Sequence, residues 1–342
     1  MAYDLDRVLT DLVATGASDA HLKVRTPVYF RRLDQLERTE HAVPTMEDVL
    51  SVVRSILRKD QGERLARELQ ADGIYTIDEK GLRFRASIFC QRGSLGVVMR
   101  QIPKAPPALA DLGLPEPAME IVGKRRGLIL VTGPAASGKT TTVAALLSTW
   151  NEALEAHIVT LEDPIEYVLE SRRCILTQRQ VGVDTPSFAS GLQHVMRQDP
   201  NIIFVGELRD LETVEIALSA AETGHLVVST MHTPTAVSTI EQVVGLFPAY
   251  QQDQVRTQLS ILIQGVLSQV LVPTADRSRR VAAFEVLNPT EAIRNLIRQN
   301  QTFRISDTME TIPSCQTLKK SLAALTQQGT VNPDDCRRWL AQ

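Results

Sequence analysis

The residues best suited to chemistry lie in one stretch, 127–142, which reads GLILVTGPAASGKTTT. An apolar run at 128–131 leads into Gly133, Pro134, Ala135, Ala136, Ser137, Gly138, Lys139, Thr140 and Thr141, and an Ala/Leu-rich helical pattern follows. Strand, loop and helix in that order, with G-x-x-x-x-G-K-T spacing, make a Walker A phosphate loop. The order has a physical reason. A tight loop turns backbone N–H groups inward onto phosphate oxygens, and the following helix aims its positive end at them. Lys139 then reaches the β- and γ-phosphates, and the Thr140 hydroxyl can ligate Mg²⁺. A chance glycine turn followed by Lys-Thr would not come with this strand–loop–helix context.

Hydrolysis of a nucleotide held there also needs carboxylates at the C-terminal ends of neighbouring strands, to hold the cation and orient the attacking water. Two strand patterns end that way. The strand at 157–161 runs into Glu162-Asp163-Pro164-Ile165-Glu166, and the one at 201–205 into Gly206-Glu207-Leu208-Arg209-Asp210. Glu162 and Glu207 directly follow buried strands, whereas Asp210 opens a helix, where capping accounts for it at least as well as catalysis. A third strand lies in GHLVVSTMHT, with His225 before it and His232 after it. His232, at the C-terminal end, is on the nucleotide side and is a candidate γ-phosphate sensor; the case for His225 is weaker. A metal held by His and Cys is not expected, because no cluster has ligand spacing.

Positioning these groups takes an α/β fold with a second unit beside it. The chain has 342 residues, and single cores rarely grow past about 250–300. Its 43% apolar and 23% charged residues are those of a globular protein. A net charge of −3 with 4% aromatics offers no basic footprint, so no nucleic-acid partner is expected. No apolar run approaches the ~18–20 residues of a membrane span, and MAYDLDRVLTDLV, with its alternating charges, is not a secretory signal. Cys90, Cys174, Cys315 and Cys336 include no C-x-x-C pair. They read as single thiols in a reducing compartment, which places the protein in the cytoplasm.

Residues 1–102 read as a compact α+β domain. Leu5, Val8, Leu9, Leu12 and Val13 keep helical spacing up to Gly16, a strand-like region ends near Leu33, and 46–57 and 62–69 are amphipathic helices. Segments 73–77, 82–89 and 96–100 are strands of a small antiparallel sheet. A Pro-rich linker, 103–117, carries Pro103, Pro106 and Pro107 and is semi-rigid. Residues 118–342 carry the nucleotide machinery. There, strands at 157–161, 202–205 and 226–229 alternate with helices at 141–154, 188–196 and 211–221, the pattern of a parallel sheet covered on both faces. Residues 250–267 read as one long helix, 270–272 and 281–286 add strands, and the chain is helical from Glu291.

The motifs resemble those of the secretion-superfamily ATPases and, within them, the PilT-type retraction motors of type IV pili. The Walker A loop, the acidic box IVTLEDPIEYV, the Walker B box RQDPNIIFVGELRDLET and the histidine box TGHLVVSTMHT occur in family order. ASDAHL is similar to the family's ASDLHL, and RFRASIF with RQIP to its RFRVN-x-F and R-x-I-P. EAIRNLIR at 291–298 is similar to the AIRNLI motif of retraction ATPases, and CQTL at 315–318 sits where that family often has MQTL.

The resemblance implies a C-terminal RecA-like P-loop NTPase domain, ending in a helical region, with a smaller N-terminal PAS-like α+β domain. It implies a homohexameric ring that binds ATP and Mg²⁺, docks on an inner-membrane pilus platform protein from the cytoplasmic side, and drives pilin removal. A second retraction ATPase is an expected accessory partner. By position, Lys139 and Thr140 bind phosphate and Mg²⁺, Glu162 activates water, Glu207 is the Walker B acid acting on Mg²⁺, and His232 is the sensor. Gly206 stands where many Walker B strands put Asp. Arg85 and Arg100 are candidates to reach a neighbour's nucleotide in trans, the alternative being solvated strand-edge arginines.

Two departures stand out. The family loop usually reads G-P-T-G-S-G-K-[ST]-T, whereas Ala135-Ala136 stand here in place of Thr-Gly. If position 136 takes φ > 0, alanine costs about 1 kcal/mol there, enough to slow turnover or loosen affinity. The second is VYFRRLDQLERTE, where the family often has a glycine-containing turn. The alternatives are a weakly hydrolysing regulatory subunit, which Ala136 alone favours, and a pilus-assembly or secretion ATPase. Many of the latter carry a larger N-terminal extension and a four-cysteine zinc insert; this chain has neither.

Overall fold

The computed structural model describes residues 3–32 and 35–340. The chain divides into two compact units, Met1–Ala105 and Pro106–Gln342.

In the first unit, the helix Leu5–Ala14 starts at Asp4, whose side chain accepts from the Arg7 N–H, and buries Leu5, Val8, Leu9 and Leu12. Strands β1 (Asp19–Lys23), β2 (Thr26–Arg32), β3 (Gln35–Arg38), β4 (Gln70–Ile77), β5 (Leu82–Gln91) and β6 (Ser94–Ile102) form one sheet. It is antiparallel throughout, in the order β3-β2-β1-β6-β5-β4. Alternation along a strand sends Phe84, Ala86 and Ile88 into a core shared with Val49, Val52, Val53 and Ile56 of the helix Met46–Ile56. Arg83, Arg85 and Ser87 alternate with them and take the opposite face. The strand-like region expected to end near Leu33 is the hairpin β1–β2; Leu33 itself lies outside the described residues.

The second unit is built on seven strands: β7 (Gly127–Thr132), β8 (His157–Glu162), β9 (Ile175–Gln180), β10 (Ile202–Val205), β11 (Leu226–Met231), β12 (Ile263–Pro273) and β13 (Arg280–Leu287). Their order is β13-β12-β7-β11-β10-β8-β9, parallel except that β13 runs antiparallel to β12. Helices cover both faces. Leu130, Val159, Ile203 and Val227 pack one way, against Leu192, Leu218 and Val243. Ile129, Ile158, Phe204 and Val228 pack the other way, against Leu146 and Trp150 of the helix Lys139–Ala153. The parallel core strands are buried on both faces, which is why they read as unbroken apolar runs. Chain from Pro106 onward belongs to this unit: Leu109, in the 3-10 turn Leu109–Leu112, is buried beside Trp150.

One expected element is corrected. Residues 250–267 are not a single helix: the helix Gln252–Leu262 ends and β12 begins at Ile263. A Cβ at Gly265 would lie 2.4 Å from Ile121 Cδ1, so the strand passes close under that side chain. The helix Ala236–Gly245, the helix Glu116–Val122 and β9 were not anticipated from the sequence. Among the described residues, no helix is long and apolar enough to cross a membrane.

Candidate nucleotide site

The C-terminal ends of the parallel strands gather the predicted residues, and β7 feeds the loop. Gly133 (φ 141), Ala136 (φ 60) and Gly138 (φ 88) all have positive φ, which wraps the loop before the helix starts at Lys139. The alanine therefore sits in the left-handed basin that glycine ordinarily occupies. A side chain at Gly133 would collide with the Gln269 carbonyl oxygen and come within 2.7 Å of Ser137 Oγ, so only glycine closes this turn.

Lys139 folds back along the loop. Its Nζ donates to the carbonyls of Gly133 (2.8 Å) and Pro134 (2.9 Å) and lies 3.4 Å from His232 Nδ1. Burial pushes its pKa down and the nearby Glu207 pushes it back up. The other ring nitrogen of His232, Nε2, is 3.5 Å from Glu207 Oε2, and Arg209 Nε also pairs with that oxygen. An ammonium beside Nδ1 and a carboxylate beside Nε2 favour the tautomer protonated at Nε2. Lysine, histidine and glutamate thus form one line across the ends of β7, β11 and β10.

Glu162 ends β8 as a buried carboxylate. The Thr160 hydroxyl (2.7 Å) and the Gln178 amide (2.9 Å) both donate to its Oε1. Burial raises its pKa above the ordinary glutamate value, and those two hydrogen bonds pull it part of the way back. The segment after it reaches the phosphate-loop helix: the hydroxyls of Tyr167 and Thr141 are 3.1 Å apart. Gly206 could not carry an aspartate without crowding, since a Cβ there would lie 3.2 Å from the Leu161 carbonyl oxygen and from the Phe188 ring. The carboxylate at this strand end therefore comes from position 207.

Asp210 is a helix cap, accepting from the Thr213 N–H at 2.8 Å and from its hydroxyl at 2.9 Å. His225 lies at the opposite end of β11, with Nδ1 2.9 Å from the Ala220 carbonyl oxygen. Arg85 and Arg100 belong to the first unit and face each other across β5 and β6, which are interior strands, so the strand-edge reading does not hold. Arg100 donates to the buried Asp19 at 2.7 Å. Sequence reading passed over Thr160, Gln178 and Gln269, because uncharged side chains on strands carry no motif.

The donors fit a nucleotide with a hard divalent cation: a hydroxyl at Thr140, carboxylate oxygens at Glu207, and a loop of positive-φ residues ahead of a helix N-terminus. Fold and loop together define a RecA-like P-loop NTPase preceded by an α+β domain. The type II/IV secretion system protein family matches residues 1–336, and the chain belongs to that family. It is 39% identical, over 98% of its length and 97% of the relative's, to the type IV pilus retraction ATPase PilT of Pseudomonas aeruginosa. A twitching motility protein of Neisseria gonorrhoeae is 37% identical over 99% of this chain and 91% of its own. The crystal structure of the pilus retraction motor PilT with bound ADP matches with a TM-score of 0.90 at 41% identity, covering 98% of this chain and 96% of that one.

Proposed function

We propose that this protein is an ATPase motor that powers type IV pilus retraction as a homohexamer, working on an inner-membrane platform protein from the cytoplasmic side. The observation that carries the reading is the line Lys139–His232–Glu207 across a glycine-framed phosphate loop, in a chain that aligns end to end with a retraction ATPase.

The residues divide the work. Lys139 has three N–H donors, directed at the Gly133 and Pro134 carbonyls and at His232 Nδ1, and it turns to the phosphates by giving up the histidine contact. Thr140 and Glu207 would hold Mg²⁺, which would supply charge neutralisation at the phosphates. Glu162, with its plane set by Thr160 and Gln178 and its basicity raised by burial, accepts a proton from the attacking water. His232 links the lysine to the Walker B acid and responds when a γ-phosphate draws Lys139 away. Arg85, reaching in from a neighbouring subunit, stabilises charge in trans. Contacts that differ between the ATP and ADP states then turn the first unit about residues 103–107.

The test is ATPase turnover of the wild type beside Glu162→Gln and Lys139→Ala, with solution mass measured with and without Mg-ATP. Turnover should fall at least ~10²-fold in both variants while the hexamer persists. A protein that binds nucleotide but turns over no faster than its variants would sink the motor reading. Ala136 at φ 60 favours the second reading in that event, a weakly hydrolysing accessory subunit of a retraction motor.

A further inference from the structure

The strand behind the phosphate loop carries a residue whose polar contacts run into that loop. Gln269 on β12 is 2% exposed; its Oε1 has no hydrogen-bond partner among the described residues, so the amide's hydrogen bonding runs through its nitrogen. Its Nε2 donates to the Ser137 carbonyl at 2.6 Å. The same Nε2 is 3.1 Å from where a Cβ on Gly138 would lie, and the Gln269 backbone carbonyl fills the space a side chain on Gly133 would need. Gln269 thus lies beneath both glycines of the loop and grips the peptide between 137 and 138. Next to it on β12, the Ser268 hydroxyl is 2.8 Å from that of Thr132, the residue that enters the loop.

A trans peptide is planar, with its carbonyl and its N–H on opposite sides. Holding the Ser137 carbonyl against β12 therefore turns the Gly138 N–H away from the strand, outward from the base of the loop. The grip matters more here than in a loop with glycine at 136, because alanine leaves φ 60 for the right-handed basin when nothing retains it. We propose that Gln269 is a positioning residue for phosphate binding: its amide clamps the 137–138 peptide so that the cradle is formed before nucleotide arrives. This deepens the reading of the loop as an ATP site and rests on it.

The experiment compares wild type, Gln269→Leu, Gln269→Glu and Lys139→Ala by affinity for a fluorescent ADP analogue with Mg²⁺ and by steady-state ATPase kinetics, at pH 6 and pH 8. Losing one buried hydrogen bond that shapes the cradle in ground and transition states alike should raise Kd and KM about tenfold in the leucine variant, with kcat close to wild type. The glutamate variant separates the hydrogen bond from mere packing. A buried carboxyl has a raised pKa, and only its protonated form can donate to the Ser137 carbonyl. Its defect relative to wild type should therefore be large at pH 8 and smaller at pH 6, while that of leucine is the same at both. Kd and KM within twofold of wild type in the leucine variant would overturn the clamp. So would a loss of kcat at unchanged KM, which marks a smaller active fraction, or a glutamate defect with no pH dependence. Should the leucine variant not fold, the pH dependence of the glutamate variant decides alone. A wild type that binds no nucleotide would instead remove the ATP reading beneath it.

Discussion

Of the two alanines that stand in place of Thr-Gly in the phosphate loop, Ala136 is the one whose conformation decides how much the exchange matters. At φ 60 it occupies a basin that costs an L-residue about 1 kcal/mol or somewhat more. Ala136→Gly should relieve most of that and raise kcat/KM about fivefold. An unchanged kcat/KM would mean that the strain is the same in the free and the nucleotide-bound loop. Glu162 makes a prediction of the opposite kind. Its raised pKa comes first from burial, and the Thr160 hydroxyl lowers it. Thr160→Val removes a lowering influence, so the pKa rises further and more of the base is protonated at any given pH. The acidic limb of kcat/KM, which reports the free enzyme, should then move to higher pH, and activity on that limb should fall. A limb that stays in place would separate Glu162 from the proton transfer.

At the scale of elements, one buried acid that ties helices to the sheet is marked by no motif. Glu285 on β13 is 9% exposed. It accepts from the Ala236 N–H at 2.6 Å and also from the Leu318 N–H, and so it caps the helices Ala236–Gly245 and Leu318–Gln327 from one strand. Removing it strands two helix-terminal N–H groups, each worth about 1–3 kcal/mol when left unpaired. With about 2–6 kcal/mol lost in all, Glu285→Ala should lower Tm by about 4–24 °C, given roughly 2–4 °C per kcal/mol for a unit of this size. Glu285→Gln, which keeps one acceptor oxygen where the carboxylate has two, should lie between alanine and wild type. Equal Tm values for alanine and glutamine would show that the helices close without this acid. The misreading of 250–267 belongs to this scale too. A doubly buried strand has no period-2 alternation to distinguish it from the end of a buried helix, and only its neighbours β7 and β13 decide.

For the whole molecule, the question is what the first unit contributes to turnover. Arg100 and Arg85 are cross-strand neighbours with different duties. Arg100 neutralises Asp19, which is 3% exposed, so Arg100→Ala should cost about 1–2 kcal/mol of stability, less than a fully buried pair because the guanidinium is largely in water. Arg85→Ala should leave Tm unchanged and lower turnover. In the proposed homohexamer, mixing it with Lys139→Ala would let an intact site meet an intact Arg85 from the next subunit. Turnover above the sum of the two variants is expected, and strict additivity would remove the trans role.

The nucleotide site was legible in the sequence because a phosphate loop is local: its glycines, lysine and hydroxyl are set by a turn and a helix start within a few residues. The same holds for the acids and the histidine at strand ends, since a parallel sheet delivers every strand's C-terminal end to one side. What no motif could reveal are the contacts made by uncharged side chains, within a strand or from other strands. Gln178 and Thr160 orient Glu162, and Gln269 grips a loop 132 residues away. The α/β class, the antiparallel first unit and the two glutamates followed from the sequence alone. Strand order, the line through His232 and the supports beneath the loop came only with the tertiary structure, because amide and hydroxyl groups gain direction only from the neighbours that packing gives them.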